Sequence, residues 1–141
     1  MYEVLADDEA AYEFLSAQMP MARSNAQQGI VQKKDGVVNA AVLYTSFNGP
    51  NVMATIAGTV GTRWLTREFL YWIFHYPFVQ LDVKRITASI YSDNLASIRF
   101  VKHCGFTHEA TLSGAAPDGQ DVYLFCLWRK DCRFGNVNSG Q

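Results

Sequence analysis

The amino-acid sequence predicts one mixed α/β (α+β) domain in which helices flank a central twisted, mixed β-sheet. The first half of the chain contains short β-branched and apolar runs separated by turn sequences, which are typical of an antiparallel meander. In the second half, segments with helical periodicity alternate with such runs, as in β-α-β units. The length of 141 residues fits one domain, and 49% hydrophobic residues are typical of a globular protein.

The first half is expected to form a strand, a helix and three further strands. The helix has apolar residues at three- and four-residue steps, Asp7 or Asp8 can cap it, and Pro20 ends it. The sequence Lys34-Asp35-Gly36 is a strong hairpin signal, and a second turn is predicted at 48–51. The predicted elements are strand Tyr2–Leu5, helix Asp7–Met19, and strands Gly29–Lys33, Val37–Phe47 and Val52–Val60.

The second half is expected to contain two helices and three strands. The first helix is apolar on nearly every face, so it should lie against the sheet, and Gly105 closes the second helix. A right-handed crossover makes the strands on either side of the first helix parallel. The predicted elements are helix Thr62–Tyr76, strand Arg85–Tyr91, helix Asn94–Cys104, and strands Phe106–Leu112 and Val122–Trp128. The order is β-α-β-β-β-α-β-α-β-β in one domain of residues 1–134, and a flexible polar tail follows at 135–141.

Charge, cysteine content and hydropathy exclude several classes of protein. A net charge of −1 argues against nonspecific nucleic-acid binding. Cys104, Cys126 and Cys132 are too irregularly spaced for a disulfide framework or a zinc site, and they favour a reducing, cytoplasmic setting. The three histidines have no metal-ligand spacing, so no metal is expected. The longest apolar stretch, Phe69–Val79, is too short to span a bilayer, and the acidic N-terminal segment is unlike a secretory signal.

The region from Arg85 to Asp131 carries the most specific pattern. Asn94 can cap the helix, Ser97 lies one turn further on, and Gly105-Phe106 ends the helix and returns the chain to the core. This pattern resembles the helix motif of the GNAT N-acetyltransferase superfamily, an Asn followed by a small residue and then by Gly-Phe. Within that superfamily it is most similar to the ribosomal-protein alanine N-acetyltransferase branch, through Arg85, Ile86, Ala88, Asp121 and Trp128.

The resemblance implies acetyl-CoA as co-substrate, with its pyrophosphate held by backbone amides before the first long helix. In the matching segment, Trp64 stands where the family has a central glycine and Gly61 where it has a basic residue. Arg63 and Arg67, one turn apart in the first two predicted turns, would then supply the charge. The expected cofactor-binding residues are Gly61, Thr62, Arg63, Trp64, Leu65, Thr66, Arg67 and Asn94.

The implied reaction is direct attack of a neutral primary amine, from a small molecule or a protein N-terminus, on the thioester. The parallel strands would splay apart and leave backbone amides for the pantetheine arm and the thioester oxygen. Many relatives protonate the leaving thiolate with a tyrosine seven residues after the motif Asn, but Val101 stands there in this chain. Ser97 therefore becomes the candidate proton donor, and Asn94 and Ser97 are the expected catalytic residues.

The remaining parts of the site are predicted from their positions in the chain. The carboxylates nearest the expected cleft, and hence the candidate general bases, are Glu68, Glu109 and Asp121. The acceptor pocket is expected to be built from two variable loops, Ser16–Gln28 and Ala115–Gln120.

Alternatives to this interpretation stay open at the level of sequence. Asn94 serves equally well as a helix cap alone, and Ser97 as an ordinary first-turn residue. A non-catalytic binding or assembly module of the same fold, favoured by Trp64 and Val101, is the alternative to the enzyme. Apart from acetyl-CoA and an amine acceptor, no nucleic-acid or membrane partner is predicted, and homodimer formation is left open.

Overall fold

The computed structural model describes residues 1–23 and 27–138. Its seven strands form one sheet in the order β1-β2-β3-β4-β5-β7-β6. Among the described strands, β4 and β5 form the one parallel pair, and the other neighbours are antiparallel. The elements are β1 (Tyr2–Ala6), α1 (Asp8–Ser16), β2 (Gln28–Lys34), β3 (Val37–Thr45), β4 (Asn51–Gly58), α2 (Arg67–His75), β5 (Arg85–Tyr91), α3 (Leu95–His103), β6 (Thr107–Leu112) and β7 (Val122–Trp128). The predicted fold class and element order are confirmed.

The first half follows its local sequence signals. Asp7 caps α1, and its Oδ1 accepts a hydrogen bond from Ala10 N at 3.0 Å. The hairpin between β2 and β3 turns at Asp35 and Gly36, which both have positive φ (52° and 84°), as a tight two-residue hairpin turn requires. Helix α1 ends at Ser16, earlier than the predicted Met19.

The predicted start of the second helix is wrong. Helix α2 begins at Arg67 rather than at Thr62, because Thr66 caps it with an Oγ1 that accepts from Phe69 N at 3.1 Å. Thr62 instead closes a turn, since its N–H and its hydroxyl both donate to Thr59 O. After His75 the helix continues as one π-helical turn over Tyr76–Gln80.

From β5 onward the second half agrees closely with the prediction. Strands β5 and β7 have the predicted bounds. Asn94 caps α3, with Oδ1 accepting from Ser97 N at 3.2 Å, and Gly105 follows the helix with a φ of 102°. A left-handed residue at this position is typical of a helix C-terminus, as predicted.

The helices cover both faces of the sheet. Helix α1 packs on one face, where Ala11 and Leu15 contact Val31, Ala41 and Leu43. Helices α2 and α3 pack on the other face over a larger core, in which Phe69, Phe74 and Phe78 are fully buried. Burial of these three phenylalanine rings removes a large apolar area from water and makes α2 and the π-helical turn that follows it central to the stability of the domain.

The start of the parallel pair is fixed by Arg85. Its guanidinium donates to both carboxylate oxygens of Glu109 (2.7 and 2.9 Å), to Asn51 Oδ1 (3.2 Å) and to Thr87 Oγ1 (3.1 Å). It also lies 5.3 Å from the centre of the Trp128 ring. A bidentate arginine–carboxylate pair adds geometric specificity to charge, so this network fixes β4, β5 and the β6 bulge to one another.

The chain after β7 stays packed against the domain beyond residue 134, where the flexible tail was predicted to begin. Val137 is buried, its carbonyl accepts from the Arg129 guanidinium, and His75 Nδ1 lies 2.7 Å from Gly135 O. The first four residues of the expected loose tail are therefore packed, whereas residues 139–141 lie outside the described residues. No helix in the described part of the chain is long and apolar enough to cross a membrane.

Candidate active site

The parallel pair opens beyond its fourth residue pair. β4 and β5 are paired from Asn51–Arg85 to Ala54–Ala88 and then separate, although both strands continue. Thr59 N donates to Asn39 O on the β3 side, and because strand groups alternate, the N–H and C=O of Ile56 and Gly58 face the opening. A cavity of about 140 Å³ lies between the separated strands, as expected for splayed strands.

Asn94 and Ser97 line this cavity at the amino terminus of α3. The Asn94 Oδ1 is used by the helix cap, whereas its Nδ2 and the Ser97 hydroxyl have no hydrogen-bond partner within residues 1–23 and 27–138. Val101 lines the same cavity and is buried. The structure therefore brings both predicted catalytic residues to the opening, each with a free polar atom.

A second cavity of about 360 Å³ extends from the opening along the segment between β4 and α2. Gly61, Thr62 and Trp64 line it together with Asn94 and Ser97. Leu65 and Thr66 follow Trp64 in the chain and lead to Arg67 at the start of α2, and Arg63 and Arg67 are exposed. Arg67 is the first helical residue, and Arg63 precedes the helix instead of lying within it.

The indole of Trp64 packs into the protein at the base of this segment. It lies 5.6 Å from the Phe100 ring and 6.1 Å from the Phe69 ring, measured between centroids. A Cβ atom at Gly58 would lie about 2.0 Å from the indole, so only glycine fits at the end of β4. The indole therefore lines the base of the cavity and packs against Phe69 and Phe100.

A buried glutamine fixes the conformation of this segment. Gln32, which is fully buried on β2, donates through Nε2 to Trp64 O (2.7 Å) and Asn39 Oδ1 (3.0 Å). Its Oε1 accepts from the capping hydroxyl of Thr66 at 2.5 Å. The N–H groups of Arg67 and Glu68 then have no partner in the described part of the chain, so the start of α2 can bind an anion.

The other side of the opening is lined by the two loops that the sequence assigns to the acceptor. Gln18, Met19 and Pro20 meet Pro117, Asp118 and Gln120 around a cavity of about 510 Å³, which Tyr91, Asp93 and Asn94 also line. Gln18 Nε2 donates to Gly58 O at 3.2 Å, and Tyr91 Oη donates to Pro20 O at 3.1 Å. Residues 24–26 of the first loop lie outside the described residues.

The expected carboxylates are not at the opening. Glu109 pairs with Arg85 at the opposite end of β5, which lowers the pKa of its carboxyl group, and Glu68 lines a separate groove beside α2. Asp121 Oδ1 accepts from Gly114 N within the β6–β7 turn. The carboxylates that line the acceptor cavity are Asp93 and Asp118, which the sequence analysis missed. Asp93 could have been found from its position directly before Asn94 in the short turn between β5 and α3.

The cysteines are not nucleophiles at this site. All three are buried free thiols, and burial raises the pKa of the Cys104 thiol to about 12. Because the thiolate is the reactive form, a thiol with this pKa is inert at neutral pH. The described residues contain no group of three or more His, Cys, Asp or Glu that could hold a metal ion.

In the structure the parallel strands β4 and β5 separate, and the amino termini of α2 and α3 lie beside the gap. The GNAT resemblance implied separated parallel strands of this kind for the binding of acetyl-CoA. The family model described as an acetyltransferase (GNAT) domain matches residues 2–107. The chain therefore belongs to the GNAT acetyltransferase family and is an acetyl-CoA-dependent N-acetyltransferase. No curated protein sequence matches the chain.

Solved structures of similar fold come from Vibrio cholerae. Mutant forms of the spermidine/spermine N-acetyltransferase SpeG share 14% sequence identity at a TM-score of 0.74, covering 92% of this chain and 96% of that chain. Spermidine N-acetyltransferase in complex with CoA and spermine gives 14% identity and a TM-score of 0.73 at the same coverage, 92% and 96%. SpeG in complex with manganese ions gives 14% identity and a TM-score of 0.71, covering 90% and 92%. At this identity the similarity shows the fold.

Proposed function

We propose that residues 1–134 form a catalytic domain that transfers an acetyl group from acetyl-CoA to a cationic primary amine by direct attack. The observation that carries the proposal is the opening of β4 from β5 beneath Asn94 and Ser97. One cavity leaves this point toward the start of α2, and another leaves it toward the two acceptor loops. A donor and an acceptor can therefore approach the same point from opposite sides.

The features on the donor side fit acetyl-CoA. The unpaired N–H groups of Arg67 and Glu68 and the positive end of the helix suit the pyrophosphate, and the exposed Arg63 and Arg67 add charge. The outward-facing backbone groups of Ile56 suit the amides of the pantetheine arm. When bound, acetyl-CoA supplies the activated acetyl group and a thiolate leaving group.

Two side chains act on the reacting groups in this proposal. Asn94 donates from Nδ2 to the acetyl oxygen or positions the thioester, while its Oδ1 holds the helix cap. Ser97 passes its hydroxyl proton to the departing thiolate and regains a proton from water, so that the serine is restored, whereas Val101 has no proton to give. The amine must lose a proton to attack, and Asp93 and Asp118 are the carboxylates available to accept it, through water.

The charge of the acceptor cavity favours a small cationic amine. Among the described residues that line it, Asp93 and Asp118 are the charged ones, and both are negative. A polyamine such as spermidine, or the spermine bound in one of the similar solved structures, carries several positive charges, whereas a protein N-terminus carries one. The resemblance to the ribosomal-protein alanine branch supports the N-terminus as the second acceptor class. We also expect a cytoplasmic setting, which suits three free thiols.

Titration and turnover test this proposal together. We expect acetyl-CoA and CoA to bind by calorimetry, and acetyl transfer to spermidine to exceed transfer to a peptide with N-terminal alanine. Replacing both acceptor carboxylates, Asp93→Asn with Asp118→Asn, should raise the KM for spermidine and leave CoA affinity unchanged. Absence of heat and of any thermal shift at millimolar acetyl-CoA would exclude the enzyme, and faster transfer to the peptide would reverse the order of the acceptors.

Arg63 and Arg67 test the donor side separately. Charge-assisted hydrogen bonds contribute roughly 1.5–3 kcal/mol each, so the double variant Arg63→Ala with Arg67→Ala should weaken CoA binding by at least about tenfold. Added salt should weaken CoA binding to the native chain more than to this variant. The matched control, Lys84→Ala with Lys130→Ala, removes the same charge at the other end of β5 and should bind CoA normally. Equal affinities of all three proteins would exclude an arginine contribution.

A further inference from the structure

A separate groove lies at the β1 edge of the sheet, away from the opening between β4 and β5. It runs between α2 and the edge strands β1 and β2, and its volume is about 510 Å³. That volume is within the range of small-molecule sites. Val4 and Ile30 form part of its apolar floor. Within residues 1–23 and 27–138, none of the residues that line it also lines the donor or acceptor cavities.

One side of α2 forms the wall of this groove. Glu68, Trp72 and Tyr76 are spaced four residues apart and therefore lie on the same side of the helix. The Trp72 ring packs edge-on against Tyr71 and His75, with centroid distances of 5.1 and 5.4 Å. The Tyr76 ring lies 5.3 Å from the buried Tyr44 ring. Packing behind the wall thus fixes both aromatic rings in place.

The charged side chains that line the groove in the described part of the chain are all negative. Asp8 and Glu68 are its charged residues in the described part of the chain, and no lysine or arginine lines it. Asp8 Oδ1 accepts from Gly29 N at 2.7 Å, and the Glu68 carboxylate makes no hydrogen bond to any described residue. Burial, with a smaller contribution from the charge of Asp8, raises the pKa of the Tyr76 hydroxyl. The Asp8 carboxylate is therefore close enough to the Tyr76 hydroxyl in the groove for its negative charge to disfavour ionisation of that hydroxyl.

We propose that this groove is a second binding site, which takes an organic ammonium cation with an apolar body. The ammonium group would lie against the rings of Trp72 and Tyr76, where the electron-rich ring face attracts a cation. The negative charges of Asp8 and Glu68 add long-range attraction for the positive ammonium group. The apolar body would cover Val4, which is partly buried, and the adjoining surface of the buried Ile30. None of the described residues that line this groove lines the donor or acceptor cavities, and the Glu68 carboxylate used here is separate from the Glu68 backbone N–H proposed for the pyrophosphate.

The probe that tests this proposal is choline, compared with its uncharged isostere 3,3-dimethylbutan-1-ol. Choline has no N–H and therefore cannot be an acetyl acceptor on nitrogen. We expect saturable binding of choline by NMR titration, with shifts at Trp72 and Tyr76, and at least about threefold weaker binding of the neutral isostere. Glu68→Gln and Trp72→Leu should each weaken choline binding by about threefold or more, from loss of charge and of the ring.

The controls separate this groove from the active site and from a general charge effect. Glu13→Gln removes an exposed charge elsewhere on α1 and should leave choline binding unchanged. The double variant Asp93→Asn with Asp118→Asn should also bind choline normally, even where it loses spermidine turnover. Equal binding of choline and its isostere, or full affinity in Glu68→Gln and Trp72→Leu, would overturn the proposal.

Discussion

The two ends of the β4–β5 pair use polar groups in opposite ways. At the closed end, the Arg85 guanidinium is bonded to Asn51, Thr87 and Glu109 and lies beside the Trp128 ring. At the open end, Asn94 Nδ2 and the Ser97 hydroxyl have no partner among the described residues. A polar network in which every group has a hydrogen-bond partner stabilises a fold, whereas donors without a partner are available to a ligand. The comparison predicts that changes at the closed end affect stability and that changes at the open end affect turnover.

The largest loss of stability is expected from changes in the hydrophobic core that α2 forms against the sheet. Phe69→Ala and Phe74→Ala each remove a fully buried ring, so each should lower the free energy of unfolding by about 3–5 kcal/mol, measured with urea. Phe69 contacts Trp64 beside the donor cavity, whereas Phe74 packs on Phe106 and Phe134. Under folding conditions only Phe69→Ala should weaken CoA binding. A loss below about 1 kcal/mol at both sites would contradict the central role of α2.

At the closed end, Arg85→Met should lower the free energy of unfolding by about 1–3 kcal/mol and leave kcat unchanged in the folded fraction. The variant removes the hydrogen bonds to Asn51, Thr87 and Glu109. Arg23→Met is the matched control, because it breaks an exposed ion pair with Glu9, and such pairs contribute little to stability. A fall in kcat for folded Arg85→Met would show that the two ends are coupled.

At the open end, Asn94 should combine a small structural role with a large catalytic one. Asn94→Ala should cost about 1 kcal/mol of stability through the lost cap and also lower turnover. Asn94→Asp retains a capping oxygen but loses the Nδ2 donor, so it should be nearly as stable as the native chain and still turn over slowly. Asp7→Ala, at the cap of α1, should cost about as much stability with normal kcat. Full turnover in Asn94→Asp would reduce Asn94 to a helix cap.

The smallest effect is a pH dependence at the closed end. The hydrogen bonds from Arg85 lower the pKa of Glu109 below its usual value of 4.5. A carboxyl group with a lowered pKa in the folded state stabilises the protein above the pKa of the unfolded chain and loses that contribution as the pH falls. The stability difference between native chain and Glu109→Gln should therefore shrink between pH 5 and roughly pH 3. A difference that is constant over this range would contradict the ion pair.

Elements bounded by local signals could be predicted from the sequence. β5 and β7 have the predicted bounds because their apolar runs are flanked by turn residues, and Asn94 and Gly105 bracket α3. The start of α2 could not be predicted in this way, since Thr62 and Thr66 are both suitable caps. Gln32, 34 residues before Thr66, decides between them through the Thr66 hydroxyl. A contact so distant in sequence leaves no local pattern.

The candidate site was predictable to a similar extent. Asn94, Ser97 and the opening of the strands follow from a motif and a topology. Glu109 was misplaced because a bulge in β6 directs it to Arg85 at the closed end. Asp93 and Asp118 are 25 residues apart and meet only when two loops fold together. The packed segment at Gly135–Val137 was missed because one buried valine anchors an otherwise polar sequence.

The short ladder between β4 and β5 also has a mechanical consequence. It joins the strands over four residue pairs, whereas β5 and β7 are joined over seven. The sheet is thus two sub-sheets, each built from a continuous stretch of chain, with a narrow seam between them. Because proteins open locally in cooperative units, we expect backbone amides on the two sides of the seam to exchange with deuterium as separate groups. CoA bound across the seam should slow exchange on both sides at once.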